Sequence, residues 1–414
     1  MQKLKDIKVG IGFATGRKSF QKVLRTYIHT WKESGLVDNK GISLNIFVAY
    51  DLDYNKTKIT DYTNVEPDLV KEIDSRTYIG GAEIKEEIDD LIHQNVINIE
   101  EANLIFGKRG YAAKRNAVLY KAIKNHMDYL VFLDDDEYPM AVTNTRNTAI
   151  WGGQEVITNH LKYIPEADIT HGHHCGYISP IPYMKFNNIM TEVDFRSFIE
   201  AISNDIINWD NLKRIMESGG VTYADTNILT THEATEVEET NHCKFISGAN
   251  LCINLTNPNR VYPFYNPPGA RGEDTFLSTC LSERKVLSVP CYTFHDGFST
   301  YNSLLEGVLP IRLKFIKAED EKIITRFYNA CIGWIRYKPL LLYITQPECY
   351  DEKIEEIRKQ LKETLPKICA YFGKNDFMKI SDELERYNRN VKKHNKQFIE
   401  MQDIWAKIMQ YFSK

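Results

Sequence analysis

The chain has 414 residues, 43% apolar and 26% charged; these near-average values exclude a disordered or fibrous protein and allow one large domain plus a smaller one. Fifty-two Lys and Arg stand against 56 Asp and Glu, a net charge of −4, so the basic excess that holds nucleic acid is missing and no nucleic-acid partner is expected. Eight cysteines with no C-x-x-C pair, a start (Met1 to Asp6) without an apolar stretch, and no membrane-length apolar run argue for reduced thiols, no signal peptide and a cytoplasmic place.

Ile7 to Phe13 reads as a buried strand, Ala14 to Lys18 as a loop, and Ser19 as the N-cap of a helix to about Trp31. Ser43 to Tyr50 is a second strand ending at Asp51, and Ser75 to Ile79 a short third one closed by Gly80-Gly81. Glu83 to about Ile105 has a polar helical pattern, Tyr111 to Asn125 a stronger one, and Tyr129 to Leu133 is a short, wholly apolar strand. This alternation implies an α/β fold: a mostly parallel, Rossmann-like sheet with helices on its faces and ligands beyond the carboxyl ends of its strands.

The middle of the chain is less regular. It offers a helix near Gly153 to Tyr163, a strand at Asp168 to His173, a helix near Phe195 to Glu217, and strands at Cys243 to Ile246 and Asn250 to Leu255. The cluster His171-Gly172-His173-His174-Cys175 has zinc-like residue types. Adjacent residues of a strand face opposite ways, however, and no second Cys/His pair with matching spacing lies nearby, His242 and Cys243 being distant partners, so a strand end lining a pocket is the plainer reading.

From about Pro310 the composition turns to helix formers, predicting an all-helical region over 310–414 after a first domain of 1–309. A stripe of Ile380, Leu384, Tyr387, Val391, His394, Phe398, Met401, Trp405 and Ile408 steps by four and three. It reads most simply as a helical hairpin folded on the chain itself; the sharper alternative is a coiled-coil homodimer through these helices. Trp334 to Tyr343 mixes aromatic, basic and apolar residues around Pro339. That composition suits peripheral contact at the inner face of a membrane, and equally a packed hinge.

The chemistry concentrates after the strand Tyr129 to Leu133, where Asp134-Asp135-Asp136-Glu137 follow at once. Four carboxylates at a buried strand end repel one another unless a cation sits among them. Asp134 and Asp136, two apart, point to one side of an extended segment and suit a hard divalent ion, Mg²⁺ or Mn²⁺, that keeps positions open for a diphosphate.

Phe132-Leu133-Asp134-Asp135-Asp136 resembles the D-x-D motif of nucleotide-sugar-dependent glycosyltransferases of the A-type fold, in the inverting family-2-like branch. Gly110-Tyr111-Ala112-Ala113-Lys114-Arg115-Asn116-Ala117 is similar to that branch's Ala-Arg-Asn helix start. Ala270-Arg271-Gly272-Glu273-Asp274-Thr275 is similar to its Glu-Asp motif, and His295-Asp296-Gly297 stands where the family often places a metal-binding His. The motifs keep the family's order across residues 9–300, while 310–414 carry no resemblance. The 138 positions from Asp136 to Asp274 exceed the family core, so 183–241 read as an insertion on the acceptor side.

The resemblance implies transfer of a single sugar, with inversion, from a nucleotide-diphosphate sugar (a UDP-sugar first) to a hydroxyl of a glycan, lipid-linked or protein acceptor. It assigns Asp136, Asp134 and His295 to the metal. Asp274 becomes the general base with Glu273 beside it. Thr15, Gly16, Arg17, Asp51, Arg115, Asn116, Asp134 and Asp135 fall around the donor. The chemistry asks for such a set on its own terms. A leaving diphosphate gathers charge that a divalent ion offsets, and a positioned carboxylate base is worth roughly 10²–10⁴-fold. A helix N-terminus favours negative charge on that base. Gly12 to Arg17 also faintly resembles the first loop of sugar-nucleotide nucleotidyltransferases, which gives a second reading, and a non-catalytic carbohydrate-binding protein is a third.

Overall fold

A computed structural model describes residues 6–413 apart from 108–109, 147, 204–208, 300–303 and 305–306. Its strands are β1 (Ile7–Thr15), β2 (Ile42–Tyr50), β3 (Ser75–Ile79), β4 (Tyr129–Phe132), β5 (Glu137–Tyr138), β6 (Met140–Asn144), β7 (Ala149–Gly153), β8 (Ile169–Gly176), β9 (Thr235–Glu236), β10 (Leu251–Asn254) and β11 (Val286–His295). The helices of the first three-quarters are α1 (Phe20–Glu33), α2 (Thr60–Thr63), α3 (Pro67–Val70), α4 (Gly81–His93), α5 (Ile99–Phe106), α6 (Tyr111–Lys124), α7 (Val156–Tyr163), α8 (Glu192–Ile202), α9 (Trp209–Glu217), α10 (Thr226–Thr231) and α11 (Glu273–Ser278). Four more close the chain: α12 (Glu321–Thr345), α13 (Tyr350–Phe372), α14 (Lys379–Arg389) and α15 (Val391–Phe412).

The fold is α/β with a helical C-terminal region, but its sheet is mixed rather than mostly parallel. The strand order is β3-β2-β1-β4-β10-β8-β11-β5, with β9 added on β11. Pairs β2–β3, β1–β2, β1–β4 and β8–β11 are parallel, whereas β4–β10, β8–β10, β5–β11 and β9–β11 are antiparallel. The cause is local. β10 enters the sheet from the same edge at which β4 leaves it, so it must run backwards between β4 and β8. The carboxyl ends of β1, β2, β4, β8 and β11 therefore still share one edge, joined there by the start of β10.

Alternation along each strand feeds two layers. Leu130 and Phe132 of β4 and Leu251 and Ile253 of β10 face a core shared with α4–α6, α8 and α11–α15. Val131 and Cys252 face the opposite core, with α1, α7 and the β6–β7 hairpin. The C-terminal helices belong to the first core outright: Phe398 packs on Tyr265 and Phe276 with ring centroids at 5.4 and 5.9 Å, and Phe412 on Tyr120 at 5.4 Å. Described residues of 310–414 and of 1–309 thus share one core. The expected insertion joins the same helices, through Phe195 of α8 against Phe327 of α12 and Asp194 on Lys367 of α13 at 2.6 Å.

Several element boundaries differ from expectation for identifiable reasons. The polar helix expected over Glu83 to Ile105 is two helices. Asn98 caps the second by accepting from the N–H groups of Glu100 and Glu101 at 2.9 Å, while Glu101 returns a carboxylate to the Asn98 N–H at 2.8 Å. Ser19 precedes α1 without a side-chain cap bond. The helix expected over Phe195 to Glu217 is α8 and α9, and the segment between them lies outside the described residues. Cys243 to Ile246 is not a strand, because its backbone turns to Ser278 instead of to a neighbouring strand. The long C-terminal stripe is broken at Asn390 into α14 and α15, and all nine of its residues are buried within the chain, leaving the stripe no free face for a two-chain seam. Pro339 sits inside an unbroken α12. In the stretch Trp334 to Tyr343 the residues Ile335, Tyr337 and Leu340 to Leu342 are buried, while Trp334 and Tyr343 are half-buried. Among the described residues no helix is long and apolar enough to cross a membrane.

Candidate active site at the acidic turn

Residues Asp134 to Asp136 leave β4 in a turn rather than an extended strand, so the expected alternation is lost. Asp135 and Asp136, not Asp134 and Asp136, share a partner: Arg17 reaches Asp135 Oδ1 through Nε at 3.1 Å and Asp136 Oδ2 through a terminal nitrogen at 2.8 Å. Asp135 also accepts from the Thr15 hydroxyl at 2.5 Å. Asp134 pairs instead with Arg115 at 3.0 Å. Glu137 enters β5, where it meets His174 at 3.2 Å and the Thr293 hydroxyl at 2.6 Å. Every carboxylate of the run thus has a basic partner from a separate segment. These partners offset part of the mutual repulsion that argued for a metal, and part of it remains on Asp134 and Asp135.

Ladder pairing brings His295 to the turn. β5 and β11 run antiparallel with Glu137 opposite His295, and the Asp296 N–H bonds the Asp136 carbonyl at 3.0 Å. His295 donates through Nδ1 to the Tyr177 carbonyl at 2.7 Å, which fixes the ring and turns Nε2 toward Asp136 Oδ2 at 3.4 Å. Burial disfavours a charged His295, but Asp136 and Glu137 outweigh it and push its pKa up to about 9. Burial likewise works against an ionised Asp136, and His295 and Arg17 overcome it, holding the carboxyl well below its usual range. Asp134 and Asp135 shift the other way, upward, because burial and the neighbouring carboxylates exceed what Arg115 and Arg17 return.

Arg115 is the structural hub. It rises from the first turn of α6, is 4% exposed, and lies between the rings of Phe132 and Phe264 at 5.2 and 5.6 Å. From there it pairs with Asp134, reaches Glu273 at 3.6 Å and donates to the Gly248 carbonyl. Gly248 in turn donates its N–H to Asp274 Oδ2 at 3.2 Å, while Asp274 Oδ1 accepts from the Thr275 N–H at 2.8 Å. The Glu-Asp start of α11 is therefore locked against the acidic turn through one guanidinium and one backbone loop. Burial and Asp274 raise the Glu273 pKa against the pull of Arg115.

The remaining assigned residues divide. Thr15 and Arg17 belong to the turn, and Gly16 sits under the Tyr54 ring, which a β-carbon there would meet at 3.0 Å. Asp51, at the end of β2, pairs with Lys114 at 2.8 Å and accepts from the N–H groups of Asp53 and Tyr54 at 3.0 and 3.2 Å. Burial would raise its pKa, but Lys114 and these N–H groups lower it on balance. Asn116 is a correction. It is fully buried, and its amide bonds the carbonyls of Ile105 and Phe264 and the Phe264 N–H at 3.2, 3.0 and 2.7 Å. It fastens α6 to the loop before α11 and has no exposed atom to offer a donor. The His cluster is likewise divided: His174 serves Glu137, His173 stacks on Tyr292 at 5.2 Å, and among the described residues no zinc-like grouping forms.

Sequence reasoning missed four contributors. Lys114 is one, the Glu137–His174 pair a second, and the Gly248 to Asn250 loop a third. In that loop Asn250 adopts a left-handed φ of 50°, held by its amide on the His173 carbonyl at 3.1 Å and by His160 at 2.9 Å. Only a glycine at 172 tolerates this approach, since a β-carbon there would lie 2.1 Å from the Asn250 amide. The fourth is Arg326 of α12, which lies beside His295. The signal for the loop was an isolated Ser-Gly-Ala-Asn before a short apolar run; nothing in the sequence pointed to Arg326.

Among the described residues no group of three or more His, Cys, Asp or Glu is gathered tightly enough to cage a metal. Asp136 and His295 form a two-donor set, the smaller number with which a magnesium-like ion binds when substrate phosphates and water complete its shell. No protein-family model matches the chain, and no curated protein matches it.

Proposed function

We propose that the chain is a glycosyltransferase of the A-type fold, in the inverting family-2-like branch, transferring a single sugar from a nucleotide-diphosphate sugar to an acceptor hydroxyl. One observation carries the reading. Arg115 ties the acidic turn to the Glu273–Asp274 helix start, while β5–β11 pairing sets His295 beside Asp136. Residues spread over nearly 300 positions converge on the sheet edge where such folds bind ligands.

In this reading Asp274 is the base. Its two oxygens are oriented by the N–H groups of Gly248 and Thr275. It takes the proton of the acceptor hydroxyl as that oxygen bonds to the anomeric carbon, and the bond from that carbon to the diphosphate breaks with its electron pair on the leaving group. Asp51, Lys114, Tyr54 and the Thr15–Arg17 loop border the nucleoside end. Asp136 and His295, with Asp134 nearby, are the residues that would hold Mn²⁺ or Mg²⁺. Such an ion supplies Lewis-acid neutralisation of the leaving diphosphate.

The deciding assay incubates the full chain with a panel of nucleotide sugars and Mn²⁺ and follows nucleotide release. Nucleoside diphosphate appearing from one donor supports the reading. Pyrophosphate released from a nucleoside triphosphate and a sugar phosphate would make the protein a nucleotidyltransferase. Saturable sugar binding without any nucleotide release would make it a carbohydrate-binding protein.

A further inference from the structure

The carboxylates of the acidic turn are fully paired, yet two more guanidinium groups stand around it. Arg326, from the first turns of α12, lies over the Phe298 ring at 4.3 Å. Its position depends on Gly297: a β-carbon there would fall 2.6 Å from a terminal nitrogen of Arg326 and equally 2.6 Å from His295 Cε1. The guanidinium therefore rests across the Gly297 backbone, alongside the imidazole that faces Asp136. Arg271, from the loop before α11, packs its stem toward Gly333 of the same helix, within electrostatic reach of Arg326 and Glu273.

Neither side chain has an ion-pair or hydrogen-bond partner among the described residues. Burial and the like charges of Arg17 and Arg271 press the Arg326 pKa down more than Asp136 lifts it. A half-buried cation crowded by other cations, with its fork unoccupied, is stabilised by an added anion. Three planar forks on three segments can each engage phosphate oxygens in pairs, and Arg17 is already anchored on Asp135 and Asp136 at one side.

We propose that Arg326, with Arg271 and Arg17, forms an arginine clamp for the diphosphate of the donor, making α12 of the C-terminal region part of the substrate site. This rests on the glycosyltransferase reading for the identity of the ligand. The clamp also makes two demands of its own. The diphosphate group must bind without a divalent ion, and cutting back a residue more than 180 positions from the acidic turn must weaken that binding.

The experiment is titration calorimetry of the full chain with sodium pyrophosphate in EDTA, followed by UDP. Wild type should bind both. Arg326→Ala should weaken pyrophosphate roughly 10- to 100-fold, the range expected for a hydrogen-bonded charge contact. Arg326→Lys should recover only part, because an ammonium is a point charge rather than a fork. Arg271→Ala, at an exposed position that does not threaten folding, should also weaken it, and Arg196→Ala on α8 should not. Undiminished affinity in both Arg326→Ala and Arg271→Ala overturns the clamp, as does a wild type that ignores pyrophosphate in EDTA. The two proposals fail separately. Arg326-dependent pyrophosphate binding in a chain that releases no nucleotide from any sugar donor keeps the clamp and rejects sugar transfer. A donor turned over with unchanged KM and kcat in Arg326→Ala keeps sugar transfer and rejects the clamp.

Discussion

The two ends of α6 carry the same kind of interaction and do different work. At its C-terminal end Lys121 and Lys124 clip Glu87 of α4 at 2.5 and 2.6 Å, with the Tyr120 hydroxyl on the same carboxylate at 2.9 Å. Three donors from one helix meet one acceptor on its neighbour, at the edge of solvent, with Lys124 37% exposed. At its N-terminal end Arg115 is sealed between two rings and answers to three segments far apart in sequence. A local clip fastens two helices. A buried cation on which remote segments converge fixes a site, because its geometry cannot relax without moving all of them.

The largest expected effect follows from that contrast. Arg115→Ala leaves Asp134 and Glu273 without their shared counter-ion and opens a void between Phe132 and Phe264. Breaking a buried pair by removing one partner costs about 3–5 kcal/mol, so urea unfolding should show a loss in that range. A loss below about 1 kcal/mol would make Arg115 no different from the lysines at the other end. Next comes Asp274→Asn, which preserves shape but, with one acceptor oxygen in place of two, keeps only one of the N–H contacts of Gly248 and Thr275 and removes the proton acceptor. Turnover should fall at least 100-fold, about 2.7 kcal/mol of barrier, with donor affinity kept. Turnover near the wild-type level would remove Asp274 from the chemistry.

The contrast also explains what could be read from the sequence. β1, β2 and β4 announced themselves as short apolar runs, and the acidic turn as carboxylates with no helix to spread them on. Strand direction was not legible in Leu251–Asn254, because three apolar residues and an Asn carry no sense of direction; only their place between β4 and β8 reverses them. The cations that neutralise the turn were visible as residues but not as partners. Arg17 and Arg115 stand about 119 and 19 positions from their aspartates, and no periodicity encodes such a contact. Asn116 was misread for the converse reason. Sharing a motif with Arg115, it projects from the next position of the helix into the core. The break at Asn390 was hidden because the spacing from Tyr387 to Val391 continues the stripe across it.

The His295–Asp136 pair sharpens the comparison through pH. The His295 pKa is raised from 6.5 to about 9 in the fold. Its contribution is therefore full below about pH 6.5 and lost as pH rises through 9. In EDTA, wild type should lose on the order of 3 kcal/mol between pH 6 and pH 10 relative to His295→Gln, measured as the difference in urea stability at each pH. Parallel profiles for the two proteins would show that the pair contributes nothing to folding.

The smallest effect belongs to the other end of α6. Lys124 is more than a third exposed, and Lys121 and Tyr120 still satisfy Glu87 when it is gone. Exposed pairs are worth about 0.2–1 kcal/mol, so Lys124→Ala should cost no more than about 0.5 kcal/mol. It should also leave pyrophosphate binding and donor turnover where they were. The measurement matters because both residues lie on one helix and both are cations on carboxylates. If Lys124→Ala lowered turnover as Asp274→Asn is expected to, α6 would be transmitting strain along its length. Convergence of remote segments would then no longer be what separates the site from the clip.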